Sequence, residues 1–472
     1  MKPTRSPQTS HRIDDIGVTS DTLTSRAGLA VFVRYLAQLS IFPVLEQLFG
    51  TIRKSSKGQP VVEIFKQLFA FLADGTSRHL TRFDALKQDA GYAQTVESDR
   101  EQLLSSHAVK RFFKAFSLPL VHAFRKLLRH LFVWRLRITQ PAVVVLGLDT
   151  VVLNNDDALK RHGVKPTHKK VKGFQPLQLT WQRYVVDAHF RRGDKHSNHG
   201  KDAIRMLRLA VEVIRAHYRQ NVPILVRMDS GFFDDKLFRT LEELDVGYLC
   251  AGRLYDEITQ RARERQNWQT YKNGHQLWRL FEFKDRRRSW NVSRRAIYSQ
   301  PVEEGQQVLD FARPDTVIYT NLGQGQRIDE LLSQVGHADW LDAVKILGLY
   351  HERGRDELVH RAMKEFADEK LPFKRFGPNM AYYSTMLVAF FLFEAFKEDV
   401  CSEVVPVESY PTTLRRRIFD QAGKIVRHAG EIVLKFTQAV WDQLKLDSLW
   451  RKAHTPPPIN ALCLASTENR ST

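Results

Sequence analysis

Three carboxylates stand in settings where an acid is either costly or placed for ligand chemistry. Asp149 lies in AVVVLGLDTVVL (142–153), a nearly all-apolar, β-branched run of the kind that forms a strand buried on both faces. An unpaired acid there costs several kcal/mol, so Asp149 must find a partner, shift its pKa or bind a cation. Asp229 directly follows a second apolar run, VPILVRM (222–228), just before Gly231. An acid at the C-terminal edge of a strand, in a strand-then-helix unit, is where α/β sheets place ligand chemistry. Glu357 opens a helical stretch in which Glu357, His360, Arg361 and Lys364 share one third of the circumference. Leu358, Val359, Ala362, Met363 and Phe366 fill the opposite side, and taken alone such a polar face is ordinary solvated surface. No Ser/His/Asp grouping and no Gly-rich phosphate loop offers a competing chemistry.

The bulk properties narrow what those acids serve. The 472-residue chain carries 72 Lys and Arg against 53 Asp and Glu, a formal charge of +19, and suggests two or three domains. Such a cation attracts polyanions, so nucleic acid is favoured over a small acidic metabolite. Cys250, Cys401 and Cys463 are odd in number and far apart, which suggests neither a disulfide framework nor a thiolate metal site and points to reducing cytoplasm. The N-terminal stretch lacks the apolar segment of a secretory signal, and the longest apolar run, Met386 to Phe396, is too short for a bilayer and carries Glu394. No membrane association is expected.

The elements that must position the acids follow in chain order. Residues 1–24 read as a flexible basic arm, and 25–140 as a helical domain punctuated by Gly50, Gly58 and Gly75. Within it, Ser105 or Ser106 can cap a helix bearing Lys110, Arg111 and Lys114 beside an apolar stripe. A DNA-reading helix and an ordinary core helix with a basic edge fit that pattern equally. From Pro141 the pattern becomes extended segments, a helix over 201–219, the strand ending at Asp229, a helix capped by Asp234 or Asp235, and a strand at 246–250. Strands such as LWRLFEFK and SRRAIYS then occupy 253–314 as an inserted β-rich unit, before 315–378 returns to the core and 379–472 turns helical.

Tyr350, Arg353, Glu357 and Lys364, with two, three and six residues between them, resemble the Y-R-E-K signature of cut-and-paste insertion-sequence transposases with a DDE active site. With Asp149 in LGLDT and Asp229 in VRMDSGF, the resemblance covers the catalytic core closely and the flanking helical regions only by pattern. It implies an α/β fold in which an RNase H-like core is interrupted by a β-rich insertion and flanked by helical N- and C-terminal regions. It further implies that Asp149, Asp229 and Glu357 are the catalytic residues and the ligands of two Mg²⁺ ions, with Mn²⁺ a possible substitute. Two such ions, roughly 3.5 to 4 Å apart, activate the attacking oxygen and stabilise the leaving one in phosphodiester chemistry. Tyr350, Arg353 and Lys364 become phosphate ligands, with Arg355 an addition or simply a solvated arginine. Trp290, Trp278 or Trp268 becomes a platform for a flipped base, or else core. Arg415, with Arg416, Arg417, Lys424 and Arg427 on an expected helical pair, becomes part DNA contact and part solvated face. The activity implied is that of a DNA endonuclease and polynucleotidyl transferase. Its partners are double-stranded terminal inverted repeats and target DNA, bound by a homodimer in the cytoplasm with the bacterial nucleoid. An RNase H-like nuclease or resolvase without strand transfer, and a non-catalytic DNA-binding descendant, are the rival readings.

Overall fold

The computed structural model describes residues 13, 15–52, 58–158, 160–302 and 315–459, so that Cys463 and just over half of the N-terminal arm lie outside the described residues. The run around Asp149 forms Val144–Thr150 (β1), whose apolar, β-branched residues make it a central member of a nine-stranded mixed sheet. Leu177–Trp181 (β2) and Tyr184–His189 (β3) extend the sheet antiparallel on one side. Ile224–Met228 (β4) and Gly247–Ala251 (β5) run parallel to β1 on the other. Four further strands, Gln269–Asn273 (β6), Gln276–Asp285 (β7), Arg294–Pro301 (β8) and Thr316–Thr320 (β9), complete the order β6-β7-β8-β9-β5-β4-β1-β2-β3. The strands expected as an inserted unit therefore lie in the same sheet as β1. Their junction is β9, which comes from the following segment and pairs with β8 on one edge and β5 on the other.

Register decides what faces what. Gln178 lies opposite Asp149 and Thr180 opposite Gly147, while Arg227 on β4 is level with Gly147. Because side chains alternate between faces with period two, all of these positions project to one side of the sheet.

The principal helices are Leu118–Thr139 (α1), Asp202–His217 (α2), Asp235–Glu243 (α3), Ala343–His351 (α4), Gly354–Ala367 (α5) and Phe376–Asp399 (α6). α3 starts where expected, with Asp234 Oδ1 accepting from the Leu237 N–H at 2.9 Å. α6 carries the run Met386–Phe396 as a core helix buried from Ala381 to Lys397, and its Glu394 meets Lys397 at 2.7 Å. Among the described residues no single helix is long and apolar enough to cross a membrane. The N-terminal region is helical as read, from Leu29–Gln38 onward, and Ser105 caps Ser106–Lys114 through the Ala108 N–H.

The C-terminal region departs from expectation. Residues read as a helical pair form a β-hairpin, Gly423–His428 with Glu431–Lys435, which pairs with Thr22–Thr24 from the expected free arm. Ala429 and Gly430 both have positive φ (50° and 84°), the two-residue turn that matches the natural twist of a hairpin. The Ile-Val pairs on either side of that turn favour strand over helix.

Candidate active site

Asp149 is the penultimate residue of β1, Asp229 follows β4 directly, and Glu357 sits in the first turn of α5. Parallel pairing brings the ends of β1 and β4 side by side, which joins the two aspartates although they lie 80 positions apart in the chain. Glu357 arrives because α5 crosses the face that Gly147 and Thr180 share. A Cβ on Gly147 would lie 2.6 Å from Thr180 Oγ1 and 2.7 Å from Asp356 Cγ, so only glycine lets the helix approach this closely. Asp356 is itself anchored to Arg227 at 3.0 Å, and Arg227 also donates to the Leu349 carbonyl at 3.2 Å. One buried ion pair thus fixes the rotation of α5 and ties it to the end of α4.

All three acids converge on Arg353, in the bend between α4 and α5. Its guanidinium reaches Asp149 at 3.4 Å, Asp229 at 3.9 Å and Glu357 at 3.7 Å. Burial raises the pKa of Asp149 against the pull of Arg353; burial, then the charge of Asp149, raises that of Asp229. Short backbone bonds orient both: Asp149 Oδ1 accepts from the Thr150 N–H at 2.6 Å and Asp229 Oδ1 from the Gly231 N–H at 2.9 Å. The side chain of Asp149 is 18% exposed and that of Glu357 65%, so the cluster is dry at its floor and open at the α5 side. Tyr350, on the last turn of α4, lies close enough to Arg353 and Asp229 to interact with both, and burial pushes its phenol up to about 12. Among the described residues no group of three or more His, Cys, Asp or Glu side chains is arranged to hold a metal ion as it stands. In chemistry, though not in this arrangement, the donor set is of the kind a hard cation takes: three carboxylates, here gathered around the guanidinium of Arg353.

Residues 11–454 match the family described as Transposase DDE domain group 1. The chain belongs to this DDE transposase family. No curated protein matches the chain. Among solved structures it is similar to the piggyBac transposase in a synaptic complex with hairpin DNA determined by cryo-electron microscopy. That likeness, at 11% identity and a TM-score of 0.39 over 94% of this chain and 89% of that one, is too slight to carry an argument.

Against this acid cluster the other sequence-derived positions fall into three groups. Tyr350 and Arg353 stand beside the acids, and Arg355 is exposed in the first turn of α5. Lys364 continues the Arg353–Glu357 edge of α5, half-buried and paired with Glu369 at 2.7 Å. Trp290 and Arg415 do not fit the roles expected for them. Trp290 is 5% exposed and packs against Phe233, Phe238 and Tyr319, leaving no face for a base. Trp278 is likewise buried in the core between the sheet and α4, while Trp268 is half-buried under the Arg279 guanidinium. Arg415 is buried, donating to the carbonyls of Ala73 at 2.8 Å, Leu72 at 2.9 Å and Glu365 at 3.3 Å, and to that of Phe366. It fastens the ends of two helices together, with four of its five N–H groups committed to these carbonyls and the side chain buried away from any phosphate; Arg416 and Arg417 are the exposed members of that run.

Sequence reasoning missed the residues that hold the acids in place. His360, read as part of the polar face of α5, is 8% exposed, whereas Leu358, read as core, is 51% exposed. The buried side is Asp356, Val359, His360, Met363 and Phe366. A glycine inside an otherwise β-branched strand was the available signal for Gly147.

Proposed function

We propose that this chain is an insertion-sequence transposase that binds terminal inverted repeats as a dimer on paired ends, cleaves there and joins the freed ends to target DNA. The observation that carries the reading is the convergence of Asp149, Asp229 and Glu357, from two strand ends and one helix, on the single guanidinium of Arg353. The order β3-β2-β1-β4-β5, with three antiparallel strands followed by two parallel ones, supports an RNase H-like core under those acids.

Asp149, Asp229 and Glu357 would hold the divalent cations. Mg²⁺, or Mn²⁺ in its place, supplies stabilisation of the charge that builds on the attacking and leaving oxygens of a phosphodiester. The chain's own contribution is placement. Arg353 presents donors among the acids and Tyr350 a hydroxyl beside them, and Lys364 offers a cation about 10 Å beyond Glu357 along α5, a spacing suited to a neighbouring phosphate. Arg355 adds positive charge on the solvent side.

The test is a gel assay with duplex DNA carrying the element's ends and a supercoiled target plasmid. Cleaved and joined products are expected from the wild type. Asp149→Ala should lose cleavage by about 10³-fold or more, the equivalent of several kcal/mol of charge stabilisation, with DNA binding retained. Cleavage without joined product would leave a nuclease or resolvase. DNA binding with no product from the wild type, and no change on Asp149→Ala, would leave a DNA-binding protein whose acids are idle.

A further inference from the structure

Directly behind Asp149 lies a buried histidine that the acid triad does not use. His360 projects from α5 one turn after Glu357, and its Nε2 stands 3.7 Å from Asp149 Oδ2. That nitrogen is buried and has no hydrogen-bond partner. The other ring nitrogen, Nδ1, lies 2.8 Å from the amide oxygen of Gln178. Gln178 in turn donates its amide N–H to the Tyr383 hydroxyl on α6.

The Gln178 amide oxygen that faces the ring selects one tautomer. A carbonyl oxygen only accepts, so Nδ1 carries the proton and Nε2 turns a lone pair toward the acids. The strand register makes the arrangement structural rather than incidental, since Gln178 lies opposite Asp149 on β2. The sheet therefore supplies the acid and the group that aims the imidazole from adjacent positions. A metal-binding histidine almost always has its second nitrogen held in this way. A buried lone pair left without a donor is, conversely, a cost that a cation would remove.

We infer that His360 is a fourth protein ligand of the divalent-cation site, offering Nε2 to a cation shared with Asp149. The inference rests on the acid-cluster reading of the preceding section. It gives the site a nitrogen donor among oxygens, and imidazole favours Mn²⁺ over Mg²⁺ more than carboxylate does. Gln178, one step removed, is a positioning residue for the imidazole.

The experiment uses the full-length protein loaded with Mn²⁺ and electron spin-echo spectroscopy. A directly coordinated ¹⁴N coupling is expected, replaced by a ¹⁵N pattern when the histidines are ¹⁵N-labelled. This reading needs no variant and so does not depend on one folding. His360→Gln should abolish the coupling and weaken Mn²⁺ binding about tenfold while weakening Mg²⁺ less, and Gln178→Leu should weaken Mn²⁺ by a similar factor. His168→Gln, at a histidine near enough to Asp229 for its charge to act there, should leave the coupling intact. Mn²⁺ that binds and is lost in Asp149→Asn, yet shows no histidine coupling, overturns the role of His360 and leaves the acid site standing. Mn²⁺ that fails to bind, or binds regardless of Asp149→Asn, overturns both.

Discussion

Two arginine–carboxylate clusters sit on the same sheet and are built on opposite principles. On β3, Asp187 receives two parallel bonds from Arg125, each 2.7 Å, one from Arg129 at 3.2 Å and the Ala188 N–H at 2.8 Å. Burial alone would push that carboxyl up, yet the charge and hydrogen bonds of Arg125, with Arg129 behind it, hold it below its usual value. At the ends of β1 and β4 a single guanidinium is stretched among three acids at 3.4 to 3.9 Å, and Asp149 and Asp229 are raised instead. Two cations for one acid make a closed structural unit; one cation for three acids leaves negative charge unanswered. Under the proposed function, Asp187 serves the fold while Asp149, Asp229 and Glu357 are kept for a ligand.

The largest effect should come from breaking the closed cluster. Asp187→Asn removes the charge that Arg125 and Arg129 were desolvated to meet, and is expected to cost about 3 to 5 kcal/mol in denaturant unfolding at neutral pH. Because the folded-state pKa of Asp187 is depressed, its contribution is complete above the unfolded value, about 3.9, and drains away as pH falls toward the folded one. The gap between wild type and variant should therefore close only below about pH 4. Specific activity per folded molecule should not change. A loss below 1 kcal/mol would erase the contrast between the clusters.

Intermediate in size is a test of how α5 is seated over the open cluster. Gly147→Ala sets a methyl group against Thr180 and Asp356, and Asp356 cannot yield freely because Arg227 holds it. Overpacking of this kind costs about 1 to 3 kcal/mol. Activity should fall further than stability does, since Glu357 and Arg353 ride on the displaced helix. Calorimetry and cleavage rates on one preparation separate the two losses; if both fall in proportion, Gly147 serves packing alone.

The same seating explains what the sequence could reveal. Strands around Asp149 and before Asp229 were legible because long apolar runs bounded by Pro and Gly have few other solutions, and the caps at Ser105 and Asp234 followed from side-chain chemistry local to each helix. The rotation of α5 was not legible. Helical spacing allowed a stripe through Leu358 and Ala362, but the pair Asp356–Arg227 and the contact of His360 with Gln178 turn the helix the other way. Those partners lie 129 and 182 positions away, beyond any local pattern. The hairpin at Gly423–Lys435 was misread because its apolar residues satisfy a helical period as well as an alternating one, and only the Ala429–Gly430 turn distinguishes them. Trp290 takes the core alternative and Arg415 neither of the two roles expected for it, because aromatic and basic residues read alike whether they meet DNA or line a core.

The smallest effect is also the sharpest test of the open cluster. Arg353→Gln removes the only guanidinium reaching Asp149, Asp229 and Glu357 among the described ion pairs. In chelator the stability should fall by only about 1 kcal/mol, because contacts this long and partly solvated contribute little more. Divalent cation should then restore what was lost, since the acids accept any positive charge placed among them. The measurement is a melting curve of wild type and variant in EDTA and again in saturating Mn²⁺. Closure of the gap on adding Mn²⁺ means that guanidinium and metal answer the same charge. A gap of several kcal/mol that Mn²⁺ leaves untouched would make Arg353 another Arg125, holding the fold rather than the place of a ligand.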